Sequence, residues 1–126
     1  MMAIRFAFDN VIGEPIINYD EEIECLVRAF IGSVVGKKER IIDVVIDKIN
    51  NSRKTKKRDS YPGDICTLFV CGEDAIIRDN FMMFEDKTEY ALDSKVLLEY
   101  IYEWKEFLIK NNRLRKISKR GTKGDI

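Results

Sequence analysis

The stretch that decides the fold is DICTLFVCGEDAIIRDNF, Asp64 to Phe81. Its first half is a short, strongly apolar run ended by Gly72, and EDAIIRDNF follows at once. Two strand-like runs meeting at a glycine predict a β-hairpin that turns near Gly72 and Glu73.

Working outward toward the C-terminus, MMFEDKTEYAL supplies a further turn and strand. Asp93 or Ser94 then caps a helix whose apolar stripe is Val96, Leu97, Tyr100, Ile101, Trp104, Phe107 and Leu108. The single tryptophan belongs in the core by this reading. Leu98, Tyr102 and Ile109 lie off that stripe and form a second, narrower ridge, which either packs on another helix or faces a partner.

Toward the N-terminus, YPG closes a loop that begins in NSRKTKKR. Before it, KKERIIDVVIDKINN carries β-branched residues on more than one side, but Ile42, Val45, Ile46 and Ile49 fit a helical stripe better than a strand alternation. The spacing of Ile23, Leu26, Val27, Phe30, Ile31, Val34 and Val35 predicts a helix of about four turns starting near Asp20. Asp20, Glu21 and Glu22 suit its positive end, and Gly36 with Lys37 and Lys38 suits its other end. AIRFAF alternates as a half-buried strand does, and EPIINY offers a second short strand, at an edge because Pro15 has no N–H to donate.

The order is therefore strand, strand, helix, helix, three strands, helix. Helices grouped apart from a strand meander point to an α+β fold, a mostly antiparallel sheet packed by about three helices. At 126 residues there is room for one domain, placed at 1–110, followed by a basic, flexible tail at 111–126. No apolar run nears the roughly 20 residues that span a bilayer, and the N-terminus lacks the apolar core of a signal peptide, so a cytoplasmic protein with no membrane partner is expected.

Histidine is absent, which removes the Ser-His-Asp and Cys-His nucleophiles, the commonest general base, and the usual zinc and non-haem iron ligand sets. Cys25, Cys66 and Cys71 are an odd set without disulfide spacing, and read as reduced, partly buried thiols. The isolated glycines form no phosphate-binding loop. No cofactor, no metal and no catalytic residue is expected.

Net charge is zero, but its distribution is uneven. Residues 1–50 carry −3 and 59–108 carry −8, whereas 51–58 carry +5 and 109–126 carry +6. Charge segregated in this way bears on partner choice rather than fold. The acidic candidates for a docking face are Glu73, Asp74, Asp79, Glu85, Asp86 and Glu89, with Tyr102 as an aromatic centre. The basic segments 53–58 and 110–123 offer the alternative of nucleic-acid binding, but neither interleaves the aromatics on which bases stack.

The segment CGEDAIIRDNFMMFEDKTEYALDSKVLLEYIYEWKEFLIKN, Cys71 to Asn111, resembles the C-terminal part of small bacterial immunity proteins of contact-dependent growth inhibition and related polymorphic toxin systems. An acidic hairpin leads into a terminal helix with Trp and Phe-Leu, here Glu103, Trp104, Phe107 and Leu108. The resemblance covers about a third of the chain. It implies a non-enzymatic cytoplasmic protein that binds one cognate toxin domain, often a basic nuclease, and blocks it. The basic tail departs from that pattern.

Overall fold

Gly72 performs the turn that the hairpin requires. β4 (Cys66–Cys71) and β5 (Asp74–Asp79) pair antiparallel from Cys71↔Asp74 to Cys66↔Asp79. Of the two loop residues only Gly72 has a positive φ, +60°, as a type II′ turn demands. The computed structural model describes residues 6–8, 15–17, 25–81 and 88–116.

The hairpin is the centre of a four-stranded antiparallel sheet in the order β3-β4-β5-β6, with β3 at Arg58–Pro62 and β6 at Glu89–Asp93. One face is apolar: Cys66, Leu68 and Val70 alternate with more exposed neighbours, and Ala75 and Ile77 do so on β5, with the buried carboxylate of Asp79 at that strand's end. β1 (Phe6–Phe8) and β2 (Pro15–Ile17) form a separate antiparallel pair, and Pro15 opens its strand, where its missing donor costs least.

The helices pack on the apolar face. α2 (Glu39–Thr55) buries Ile42, Val45, Ile46 and Ile49, the expected stripe, and α3 (Ser94–Lys110) buries Leu97, Leu98, Ile101, Trp104 and Leu108. Trp104 is 1% exposed and its indole N–H donates to the Gly36 carbonyl at 2.7 Å, so the core residue also anchors a distant turn. The α+β architecture, three helices over an antiparallel sheet, is as expected.

Three local readings are corrected. The expected helix from Asp20 is α1 (Cys25–Ala29) running directly into a π-helical stretch, Phe30–Val35, which ends where Gly36 (φ +64°) donates to the Ile31 carbonyl. Asp20, Glu21 and Glu22 lie outside the described residues. The expected basic loop is divided between the last turn of α2 and the edge strand β3. That strand's partner, β4, supplies the order that its own charged sequence does not announce.

The third correction moves the domain's end. α3 stops in a Schellman arrangement: Asn112 at φ +56° donates to the Ile109 carbonyl and Arg113 N–H to Leu108. Arg115 then pairs with Lys38 in a parallel bridge, donating to the Lys37 carbonyl and accepting from Glu39 N–H, both at 2.8 Å. Leu114 packs on the core. Residues 111–116 therefore belong to the folded body, and 117–126 lie outside the described residues.

Candidate protein-docking surface

α3 is positioned from both ends. At its start the Asp93 carboxylate accepts from Lys95 N–H at 2.7 Å, satisfying an orphan helix donor, and lies 3.6 Å from Arg53. Ser94, fully buried, donates to the Gly72 carbonyl at 2.8 Å and accepts from Arg53 at 2.9 Å. Ser52, also buried, accepts from Gly72 N–H at 3.0 Å and donates to the Lys57 carbonyl at 2.6 Å. The two serines thus satisfy both backbone groups of the hairpin glycine and lock the hairpin tip between α2 and α3. Their small size in apolar helices gave no sequence signal of that role.

With its inner stripe committed to the core, α3 presents a second stripe outward. Tyr102 and Ile109 are 48% and 50% exposed and share one face of the helix, whereas the other exposed large apolar residues among those described, Val44 and Phe81, lie off α3. Tyr102, Lys105, Glu106 and Ile109 follow i, i+3, i+4, i+7 spacing and, with Glu103, line an open groove of about 320 Å³. The Tyr102 hydroxyl accepts from Asn50 of α2 at 3.4 Å, so the ring leans toward the seam between the helices. Leu98, the third residue of the expected ridge, is buried there.

The polar groups of this surface are mostly anionic. Lys105 donates to Asp43 of α2 at 2.7 Å. That bond, aided by the charges of Asp43 and Glu39 and opposed by desolvation, raises the lysine pKa above its ordinary value. Its charge is thereby spent within the chain, while Glu106 and Asp47 stand exposed on neighbouring faces.

Among the described residues, the predicted acidic candidates lie away from this surface and at more than one place on the sheet. Glu73 and Asp74 sit at the hairpin tip, where the Glu73 carbonyl accepts from Ser94 N–H. Glu89 lies on the outer sheet face, bound by both Nε and Nη2 of Arg78 at 3.1 and 2.9 Å, while that guanidinium covers the Phe69 ring at 4.8 Å. Asp79 is 4% exposed at the end of β5, its carboxylate accepting from Phe81 N–H, and its role is to close a turn. Glu85 and Asp86 lie outside the described residues. Among the described residues of the predicted set, Tyr102 alone falls on the ridge. Glu106 and Ile109 complete it, and their helical spacing from Tyr102 was the available signal.

The basic segments also separate. Lys56, Lys57 and Arg58 follow the C-terminus of α2, whereas Arg113 and Arg115 sit beside Lys37 and Lys38 at its N-terminus, about 25 Å away along the 17-residue helix. Desolvation, then the nearby Arg115 and Arg113, lowers the Lys37 pKa.

Among the described residues no group of three His, Cys, Asp or Glu side chains is placed to hold a metal ion. Cys66 and Cys71 lie five residues apart on one strand and face opposite sides, so they cannot chelate together. Burial, with smaller contributions from Asp79 and Cys25, pushes the Cys66 thiol up to about 11, which leaves it protonated and unreactive near neutrality. No described helix is long and apolar enough to cross a membrane. Set against models of known families, curated proteins and solved structures, the chain matches none.

Proposed function

We propose that the chain is an immunity protein that binds and neutralises a cognate toxin domain, a nuclease, in the cytoplasm and without catalysis. The observation that carries this reading is the outward stripe of α3, where half-exposed Tyr102 and Ile109 flank a carboxylate-lined groove. An aromatic and an aliphatic anchor in an acidic surround are what a basic protein surface recognises: apolar contact supplies affinity, and opposite charge supplies on-rate and orientation. The resemblance of Cys71–Asn111 to polymorphic-toxin immunity proteins supports the same reading.

Nucleic-acid binding through segments 53–58 and 110–123 is the competing reading. The separation of the described parts of those segments by the length of α2 weighs against one continuous phosphate track. The deciding experiment produces the toxic domain encoded immediately upstream of this chain's gene in susceptible cells, with and without the chain. Rescue with co-elution of a one-to-one complex at moderate salt is expected. Absence of rescue by a folded chain rejects the immunity function.

A further inference from the structure

Resting on that reading, we infer that the α3 groove receives a basic amphipathic helix of the toxin, laid along α3 with two apolar side chains over Tyr102 and Ile109 and Lys or Arg between them. The inference follows from spacing and charge. Tyr102 and Ile109 are seven residues apart on one helix, about 10 Å along its axis, which matches the i and i+7 positions of a second helix. Between them lie Lys105 and Glu106.

Lys105 is already bonded to Asp43 at 2.7 Å, so the charge the groove offers an incoming group is that of exposed Glu106. A cation at the middle of the incoming helix meets attraction, and a carboxylate there meets repulsion. The apolar pair alone would accept any hydrophobic helix; the acidic middle selects a basic one.

A second copy of this chain is a poorer occupant. Pairing α3 with itself about a two-fold axis sets Tyr102 against Ile109 and Lys105 against Glu106, so each Glu106 meets a lysine whose charge Asp43 already offsets.

The test measures the affinity of the upstream-encoded toxic domain for the full chain and for Glu106→Lys, Tyr102→Ala and Ile109→Ala, with Glu89→Lys on the outer sheet face as comparator. The three groove variants change exposed side chains, so each should keep the wild-type circular dichroism; Glu106→Gln replaces Glu106→Lys if that variant does not fold. Glu106→Lys is expected to weaken binding at least tenfold and to flatten its salt dependence, each alanine variant to weaken it about tenfold, and Glu89→Lys to leave it within twofold. Hydrogen exchange on the toxin should show protection of a helical segment with apolar residues at i and i+7 and Lys or Arg between. Tight wild-type binding with all three groove variants within twofold, or protection of an acidic or extended segment, overturns this inference and leaves the immunity reading standing. Absence of wild-type binding overturns both. A chain that sediments as a dimer, and as a monomer once Ile109→Glu is introduced, assigns the groove to a second copy and overturns the inference.

Discussion

Replacing Ser52 with Ala tests whether the hairpin tip is held by side-chain hydrogen bonds. The Ser52 hydroxyl is 1% exposed and makes two contacts, accepting from Gly72 N–H at 3.0 Å and donating to the Lys57 carbonyl at 2.6 Å. Gly72 is buried, so its N–H loses its partner without gaining water, at a cost of about 1–3 kcal/mol. The Lys57 carbonyl sits on an exposed residue and is rehydrated, so its loss adds about 0.5 kcal/mol. Alanine's better helix propensity returns roughly 0.5 kcal/mol. The net expectation is a loss of about 1–3 kcal/mol, read as a lower urea midpoint at unchanged slope. Asn51→Ala, exposed on the same turn, controls for propensity and should leave the midpoint unchanged or raise it slightly. Amide exchange gives the local readout: Gly72 N–H should exchange faster in Ser52→Ala than in wild type under native conditions. A stability change below 0.5 kcal/mol with unaltered Gly72 protection would refute the reasoning, because the amide would then have another acceptor.

Gly63→Ala should cost about 1–3 kcal/mol in chemical unfolding, because a methyl there would stand 2.5 Å from the Cys66 carbonyl oxygen and 2.6 Å from Val34. Asn112→Gly should fall within about 0.5 kcal/mol of wild type, whereas Asn112→Val should lose about 1–2 kcal/mol, since a β-branched residue resists the φ of +56° that ends α3; thermal melts of the pair decide it. Lys105→Gln should cost roughly 0.2–1 kcal/mol at pH 7, the range of partly exposed ion pairs. The Lys105 pKa is raised in the folded state, so this stabilisation is complete below the unfolded-state value near 10.4 and is lost as pH rises through the higher folded value. Urea curves of wild type and variant should therefore converge in strong alkali and stay apart at neutral and mildly acidic pH.

The elements legible in the sequence were those whose own residues carry the periodicity. The apolar stripes of α2 and α3, the hairpin at Gly72 and the Asp93 cap are local patterns, and each appears where its spacing puts it. β3 was illegible because an edge strand reading RDSYP is specified by its pairing with β4 rather than by alternation. The docking of Arg113–Arg115 beside Lys37–Glu39 joins segments some 75 residues apart through a backbone bridge, which no local side-chain periodicity encodes. The candidate site was half legible for the same reason. Tyr102 and Ile109 stand out by helical spacing, but the exposure of that face depends on which side of α3 the sheet and α2 occupy. Of the described acidic candidates, Asp79 and Glu89 fall on opposite faces of the sheet, away from Glu73 and Asp74 at the hairpin tip, because alternate residues on a strand face opposite ways.

The described charges at the two ends of α3 are compensated locally and form no gradient along its axis. At the hairpin end Glu73, Asp74 and Asp93 stand among Arg53, Lys56, Lys57, Arg58 and Lys95: Arg53 lies 3.6 Å from Asp93, Ser52 links Gly72 to Lys57, and Arg58 pairs with Cys71. At the other end Lys110, Arg113, Arg115 and Lys116 gather near Glu39, whose N–H donates to the Arg115 carbonyl. The helix macrodipole favours anions at the first turn and cations at the last, by about 0.3–1 kcal/mol each, and fades within one turn, so it accounts for Asp93 and Lys110 alone. The sign of a partner laid along α3 is therefore selected at the centre of the groove, by Glu106, and not by its ends.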